Sequence, residues 1–488
     1  MKDLPNSASL SSSKTILGHP IGLFVLFFTE MWERFSFYGM RAILILFLVD
    51  KVSDSGLGGG LGIDHATAQI IYGAYGFLVY VMGIPGGILA DRWIGQKMSV
   101  LVGGILLVAG PALLTFQGFV AGGLKEALFF TGLFVITLGV GALKPNISTM
   151  VGGLYHPKDD RRDMAFTIFY IGINLGAFLS AIIVSLVAQK YGWHYGFGLA
   201  GIGMILGLFV YLLGQGTLKG VGEIRKPKKG EDGKGADAPL TAVEKDRVKV
   251  LLISFLIVII FWGSFEQAGG LLNLYAQEKV NRVLAPDSFL GKILFTLTDH
   301  SVIPAGWFQS VNAFFIMIFG TLVASFWAWW SKIGKEGSSL FKMGVGTIVM
   351  GLGFLFMVGA TQQYDQLGYA SMSWLVGAYF LHTLGELSLS PVALSFITKL
   401  SPAKYSSIMM GVYFAVTGMG NMVAGLLGSL SGRLGERTLF LLITAVAVVA
   451  GLLVIVLLKK LKKLTHGAED YQSPSAKENL EDELGLQQ

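Results

Sequence analysis

Long apolar stretches alternate along the chain with short charged clusters. Apolar segments run at about 21–49, 66–90, 98–116, 127–151, 164–189 and 194–216, and then at about 250–276, 305–331, 340–361, 370–398, 406–431 and 438–458. A helix needs roughly 20 apolar residues to cross a hydrocarbon layer about 30 Å thick. The pattern therefore predicts twelve membrane-spanning helices, called spans 1 to 12 in chain order, in two groups of six.

Composition supports a membrane protein and excludes several other classes. Of the 488 residues, 53% are hydrophobic and 14% are charged, whereas a soluble domain carries about 25% charged residues. Strand-like alternation is absent at useful length, so the backbone must satisfy its hydrogen bonds within helices. The sequence has no cysteine, which excludes disulfides, thiolate metal sites and cysteine nucleophiles. The predicted fold class is all-α integral membrane, with no nucleic-acid partner despite a pI near 9.1.

Lysine and arginine are divided unevenly between the two sides of the predicted spans. Of 37 such residues, 26 fall on the side that holds both termini and the central linker, eight fall on the other side, and three fall within spans. Because cytoplasmic loops carry the excess of positive charge, we expect both termini in the cytoplasm. The predicted organisation is an N-tail at 1–19, a six-helix bundle at 20–217, a linker at 218–249, a second six-helix bundle at 250–463 and a C-tail at 464–488.

Seven charged residues fall inside the predicted spans, where a charge costs a few kcal/mol. They are Glu30, Glu33, Arg34 and Arg41 in span 1, Lys144 in span 4, Glu266 in span 7 and Glu386 in span 10. All three bases belong to the first six spans, and the second six contribute only acids. A cavity between the halves would be positive on one wall and negative on the other, which suits a zwitterion such as an amino acid or a short peptide. The alternative is that these acids and bases pair with one another across the halves.

Span 1 concentrates this charge on one face. At about 100° per residue its two acids, its two bases and Tyr38 point to the same side, and Glu30 and Arg34 are spaced for an ion pair. Protonation of a carboxylate breaks such a pair, and this gives a way to couple proton movement to ligand movement. The sequence therefore predicts a proton-linked cluster in span 1.

Two sets of motifs resemble known transporters. The stretch Gly83-Ile-Pro-Gly-Gly-Ile-Leu-Ala-Asp-Arg-Trp-Ile-Gly-Gln-Lys97, at the start of a short cytoplasmic loop, resembles the G-x-x-x-D-R-x-x-G motif of the major facilitator superfamily. That resemblance implies two pseudo-symmetric bundles around a central cavity and rocking-type alternating access. The opening Thr29-Glu-Met-Trp-Glu-Arg-Phe-Ser-Phe-Tyr-Gly-Met-Arg41 resembles that of the proton-dependent oligopeptide transporters, the POT or PTR family. Further matching stretches are Gly141–Asn146, Phe169–Gly176, Phe261–Gln267, Gln309–Asn312 and Gly385–Pro391.

The POT resemblance implies roles for matching residues. The implied proton-coupling residues are Glu30, Glu33, Arg34, Lys144, Glu266 and Glu386. The implied substrate-binding residues are Arg34, Tyr38, Arg41, Tyr80, Lys144, Asn174, Trp262, Phe265, Asn312, Glu386 and Tyr413. Arg41 and Lys144 would draw the peptide carboxylate, while Asn174, Asn312 and Glu386 would hold the amino end and backbone.

The chain departs from the family pattern at several positions. Phe37 replaces a tyrosine of the span 1 motif, and Tyr413 stands where tryptophan is common, which puts the substrate range in doubt. Animal members carry a proton-linked histidine where this chain has Gly73, so proton handling would rest on the carboxylates. The segment between the halves is too short and polar for the two extra helices of many bacterial relatives.

The expected function is a proton-coupled symporter that imports di- and tripeptides by alternating access, and not an enzyme. The expected partners are a di- or tripeptide, the co-transported proton and membrane lipid, without cofactor or metal. We expect a monomeric, multi-pass protein of a bacterial inner membrane. The alternatives are a transporter of another small anion or zwitterion, such as nitrate or a peptide-like drug, and a peptide sensor that does not transport.

Overall fold

The computed structural model of the chain describes residues 15–53, 57–156, 159, 161–223, 240–298, 301–402 and 405–468. Most of the predicted N-tail, the middle of the predicted linker and most of the predicted C-tail lie outside the described residues. The fold is helical, and its strands are two-residue pairs. Thr15–Ile16 pairs antiparallel with His19–Pro20, and Val280–Asn281 pairs in parallel with Ala370–Ser371.

The first half of the chain forms six spans. Their helices are Ile21–Val49 (span 1), His65–Val81 and Gly83–Leu89 (span 2), Gly95–Phe116 (span 3), Gly123–Gly153 (span 4), Arg161–Tyr191 (span 5) and Trp193–Gly214 (span 6). The second half forms six more. Their helices are Ala242–Phe265 and Leu271–Lys279 (span 7), Phe308–Lys332 (span 8), Ser339–Leu367 (span 9), Met372–Leu400 (span 10), Ser406–Ser429 (span 11) and Glu436–Thr465 (span 12). Two shorter helices, Phe289–Thr298 and Ser431–Leu434, lie in connections between spans.

The helices agree with the predicted twelve crossings. Within the described residues, ten helical stretches are long and apolar enough to cross a membrane, and one of them, His65–Phe119, contains both span 2 and span 3. Span 1 is not among the ten, although it is 29 residues long, because it carries four charged residues. The chain is therefore a multi-pass membrane protein with an all-helical fold.

Two spans differ from their predicted form. Span 2 was expected to end in a loop at Asp91, but the chain continues as a π-helical turn, Ala90–Ile94, and reverses only at Gly95, where φ is +78°. Glycine adopts this backbone conformation without steric cost. Span 7 was expected to be one helix at 250–276, but it is interrupted by a 3-10 turn, Glu266–Ala268. This break places a carboxylate in the middle of the membrane-spanning region.

The loops that connect the spans fall on two faces of the molecule. We call the end that carries residues 50–53, 57–64, 191–192, 280–298 and 301–304 the outer face, and the end that carries residues 90–95, 218–223 and 333–338 the inner face. Glycines allow spans to approach closely between these faces. A Cβ on Gly73 of span 2 would lie 2.8 Å from the Cα of Gly425 in span 11, so the two halves touch at this point.

Candidate functional site

Two glutamates and one arginine form a buried ion cluster on span 1. The Nε of Arg34 lies 2.9 Å from Oε1 of Glu30, one helical turn away, and it also contacts Glu33. All three side chains are at most 3% exposed. Gly176 of span 5 makes room for the cluster, since a Cβ there would lie 3.1 Å from the Cβ of Arg34. A proton on either carboxylate would weaken its pairing with the guanidinium.

Lys144 of span 4 is a second base beside this cluster. Its Nζ lies 4.6 Å from the centre of the Tyr80 ring, which is a cation–π distance. It also interacts electrostatically with Glu33 and Arg34. Together with Glu30 these groups comprise two acids and two bases, so the set is neutral when all four are ionised. The uptake of one proton by a carboxylate would leave the set with a net positive charge.

Arg41 joins the two halves of the molecule. Its Nη2 contacts Oε2 of Glu266 in span 7, and its Nε donates a hydrogen bond of 2.6 Å to the hydroxyl of Tyr72 in span 2. Gly269, directly after the break in span 7, leaves room for this contact, because a Cβ there would collide with the Tyr72 hydroxyl. The cross-half pairing that the sequence left open is thus present here. In this structure Arg41 faces a carboxylate of the protein itself.

Glu386 of span 10 has a different environment. Its Oε2 accepts a hydrogen bond of 2.8 Å from Nδ2 of Asn312, which also donates to Oγ1 of Thr383 at 3.1 Å. Asn312 is neutral, and no basic side chain of the described part of the chain forms an ion pair with Glu386. The carboxylate is therefore held in place and can still accept a cation.

Tyr38 lies between these charged groups. Its ring centre is 6.0 Å from the guanidinium carbon of Arg41, and its hydroxyl lies within electrostatic range of Arg34, Glu266 and Glu386. The phenol is thus placed to touch a ligand that bridges the two halves. This agrees with a substrate-binding role, which stays a prediction.

The remaining predicted binding residues are aromatic groups and an amide. Trp262 and Phe265, on the last turn of Ala242–Phe265, pack edge to face with ring centres 5.3 Å apart. Tyr413 is buried in span 11. Asn174 donates a hydrogen bond of 2.9 Å to the carbonyl oxygen of Tyr170 in its own helix. Its predicted contact with a peptide would have to replace or supplement that bond.

A narrow cavity lies beside Arg41, with room for about one water molecule. It is lined by Phe37, Arg41, Tyr72, Tyr75, Gly76, Val79, Tyr80 and Asn421. The lining comes from spans 1, 2 and 11, and thus from both halves. The cavity is too small for a dipeptide, so a substrate at this level would require the two halves to move apart.

Comparison with known proteins identifies the family. A sequence model described as the POT family matches residues 97–229 and 240–437. The chain is 32% identical to a peptide transporter of Yersinia enterocolitica, over 96% of this chain and all of that protein. It is also 32% identical to a di-/tripeptide transporter of Lactococcus lactis, over 93% and 98% of the two chains. The chain belongs to the POT family.

A solved POT structure supports the same fold. The crystal structure of a peptide transporter POT in complex with sulfate is 33% identical to this chain, with a TM-score of 0.82, and covers 95% of this chain and 99% of its own. The protein therefore has the two-bundle fold of the major facilitator superfamily, and it is a transporter, not an enzyme.

Some residues of this POT site were not predicted from the sequence. Tyr72 binds Arg41, Thr383 binds Asn312, and the Tyr379 hydroxyl donates to the carbonyl oxygen of Ala268 at 3.2 Å. A signal for Tyr72 was present, because it falls within 80° of Tyr80 on the helix and both phenols interrupt an apolar span. Tyr379 and Thr383 carried no comparable signal.

Proposed function

We propose that this POT family member is a proton-coupled symporter that imports di- and tripeptides. The observation that carries the proposal is the state of Glu386, which is fixed by Asn312 but has no basic partner in the described part of the chain. Two bases, Arg34 and Lys144, belong to the opposite half. The names of the two POT relatives, a peptide transporter and a di-/tripeptide transporter, support the substrate class.

A short peptide fits this charge pattern end to end. Its ammonium group would bind Glu386 and replace the cation that the carboxylate lacks. Its carboxylate would face Arg34 and Lys144 across the space that opens when the two halves move apart. Arg41 would join them only when Glu266 releases it, since the two are paired in this structure. A sugar or another neutral solute would gain nothing from these charges, whereas a zwitterion is attracted at both ends.

The proton acts on the same set of groups. A proton taken up by Glu30 or Glu33 frees part of the positive charge of Arg34, and the peptide carboxylate can then bind it. A proton on Glu266 would release Arg41 and with it one link between the halves. Peptide and proton bound together let the outer side close and the inner side open, and their release resets the carrier.

The proposal extends to location and assembly. We place the inner face in the cytoplasm, on the evidence of the uneven lysine and arginine distribution, and the protein in a bacterial inner membrane. Support for the membrane comes from the bacterial relatives and the twelve crossings. A monomer suffices for the proposed cycle, with the proton as the coupled ion and lipid as the surrounding partner.

Uptake into liposomes tests the proposed function. The purified protein is reconstituted, an inward proton gradient is imposed, and uptake of labelled dialanine is followed with and without a protonophore. Accumulation that the protonophore abolishes is the expected result. Dialanine binding without uptake would favour a sensor, and the absence of both would point to another small anion or zwitterion.

A further inference from the structure

A backbone carbonyl next to Arg41 receives hydrogen bonds from the opposite half. The Nδ2 of Asn273 donates to the carbonyl oxygen of Ala42 at 2.9 Å, and the Nε2 of Gln309 donates to the same oxygen at 3.4 Å. Ala42 and Asn273 are almost completely buried. The amide donors belong to the second half, so they hold span 1 at the position of the Arg41 side chain.

A second contact joins the halves at span 5. The indole Nε1 of Trp307 donates to the carbonyl oxygen of Ile182 at 2.9 Å. The neighbouring residue, Gly306, lies so close to Ser185 and Ala42 that an added Cβ would collide with the Ser185 hydroxyl and lie 3.2 Å from the Ala42 oxygen. The indole N–H of Trp307 thus binds the other half of the molecule.

These contacts differ chemically from the ion pair beside them. The pair between Arg41 and Glu266 weakens when a proton neutralises the carboxylate or when a peptide competes for the guanidinium. A backbone carbonyl does not titrate in the physiological range, and an amide or indole donor carries no charge to lose. The strength of these hydrogen bonds is therefore independent of pH.

We infer that Asn273, Trp307 and Gln309 are positioning residues that form an uncharged latch on the outer side of the molecule. The latch holds span 1 and span 5 against the second half, keeps Arg41 opposite Glu266, and sets the resting balance between outer-closed and outer-open forms. Protons and peptide change the strength of the ion pair. The latch adds a constant free energy that favours the outer-closed form. The inference rests on the proposed function only in that outer opening admits the peptide.

The shift in the equilibrium between outer-closed and outer-open forms depends on the number of hydrogen bonds in the latch. A net hydrogen bond between neutral groups shifts an equilibrium by about fivefold, the equivalent of ~1 kcal/mol. Loss of the Asn273 or the Trp307 bond should therefore raise the ratio of outer-open to outer-closed protein by about fivefold each. Because only the outer-open form accepts external peptide, a variant with a weakened latch should reach half-maximal uptake at a lower peptide concentration.

The absence of cysteine in the sequence makes a distance measurement direct. Val52→Cys and Phe289→Cys place spin labels on exposed side chains of the two halves at the outer face, 53% and 78% exposed. Distance distributions are recorded by double electron–electron resonance without peptide, at pH 6 and pH 8. The test variants are Asn273→Ala and Trp307→Phe, which keeps an aromatic ring and removes the indole N–H donor.

Two matched controls lose equivalent bonds within one half. The Nε1 of Trp374 donates to Gln363 at 2.8 Å inside the second half, and the Nε2 of Gln117 donates to the carbonyl oxygen of Leu114 at 3.1 Å inside the first. Trp374→Phe and Gln117→Ala should leave the distances unchanged. Trp307→Phe and Asn273→Ala should raise the ratio of the long-distance to the short-distance population about fivefold, by the same factor at both pH values.

Three results would overturn the inference. One is an unchanged distance distribution in both test variants, and another is a test-variant effect that the controls share. The third is an effect that changes severalfold between pH 6 and pH 8, which would mean that the contacts depend on a titrating group. Uptake assays add a separate reading, since a merely structural defect would lower the maximal rate without lowering the half-saturating concentration. Failure of the proposed function would appear as absent dialanine uptake by the unaltered chain, and the distances would still test the latch.

Discussion

Replacement of Glu386 by glutamine tests the proposed orientation of the peptide. The change removes one negative charge and keeps the shape of the side chain. Its amide oxygen can still accept the hydrogen bond that Asn312 donates at 2.8 Å. The predicted effect is therefore confined to the loss of attraction for a cation, and a rearrangement of the site is not expected.

The magnitude follows from Coulomb's law and from the surroundings of the group. The Glu386 side chain is neither fully buried nor fully exposed, and an effective dielectric constant of about 20 applies to such a site. At about 4 Å an ammonium and a carboxylate then attract each other by about 4 kcal/mol. Desolvation of both groups offsets part of this energy. We expect a net loss of about 2–3 kcal/mol, which is a 30- to 150-fold weaker affinity at about 1.4 kcal/mol per factor of ten.

Binding measurements with two peptides isolate the contact. Dialanine and N-acetyl-dialanine are titrated into the unaltered protein and into Glu386→Gln by calorimetry. The affinity for dialanine should fall by the full factor of about 30 to 150. The affinity for the acetylated peptide should hardly change, because that peptide has no ammonium group. Glu278→Gln serves as a control, since that glutamate pairs with His65 at 3.1 Å on the outer face. Equal losses for the two peptides would refute the proposed contact.

Three further predictions concern the cluster, an exposed ion pair and the packing of the spans. Glu33→Gln should abolish uptake driven by the proton gradient while counterflow exchange persists, and full gradient-driven uptake would contradict the proton site. Hydrogen bonds from Arg161 lower the pKa of the Asp159 carboxyl from 3.8 to about 2, so its stabilisation is complete above 3.8 and lost as the pH falls towards 2. Asp159→Asn should accordingly lower the melting temperature at pH 7, with a difference that shrinks in acid; a constant difference would argue against this pair. Gly86→Ala should destabilise by about 1–3 kcal/mol because its Cβ would strike the span 4 backbone, whereas Gly83→Ala, with open space around it, should be neutral in the same melting assay.

The twelve spans were predictable because a membrane imposes one length and one polarity on every crossing helix. The ends of the spans were harder to predict, although the sequence contains signals for some of them. Span 7 begins at Ala242, eight residues before its apolar stretch, where Thr241 and Glu244 form a capping box. The T-x-x-E spacing is readable in the sequence. The break at Glu266 carries no proline, so only its two following glycines hinted at it.

Contacts between the halves could not be derived from the sequence alone. Arg41 and Glu266 are 225 positions apart, and nothing local to either residue shows that they meet. The sequence divided bases and acids between the halves, but it left open whether a ligand or the protein itself pairs them. The structure shows that the protein itself pairs Arg41 with a carboxylate, whereas Glu386 has only a neutral hydrogen-bond partner.

This difference suggests how proton and peptide binding reinforce each other. With all groups ionised, the cluster of Glu30, Glu33, Arg34 and Lys144 is neutral and attracts a peptide carboxylate weakly. One proton makes the cluster positive, while Glu386 on the other half stays negative, so the field along the cavity then matches the dipole of a zwitterion. Proton uptake should therefore raise peptide affinity, and by linkage bound peptide should raise proton affinity by the same factor. A symporter needs this reciprocity, because either ligand then binds weakly unless the other is also bound.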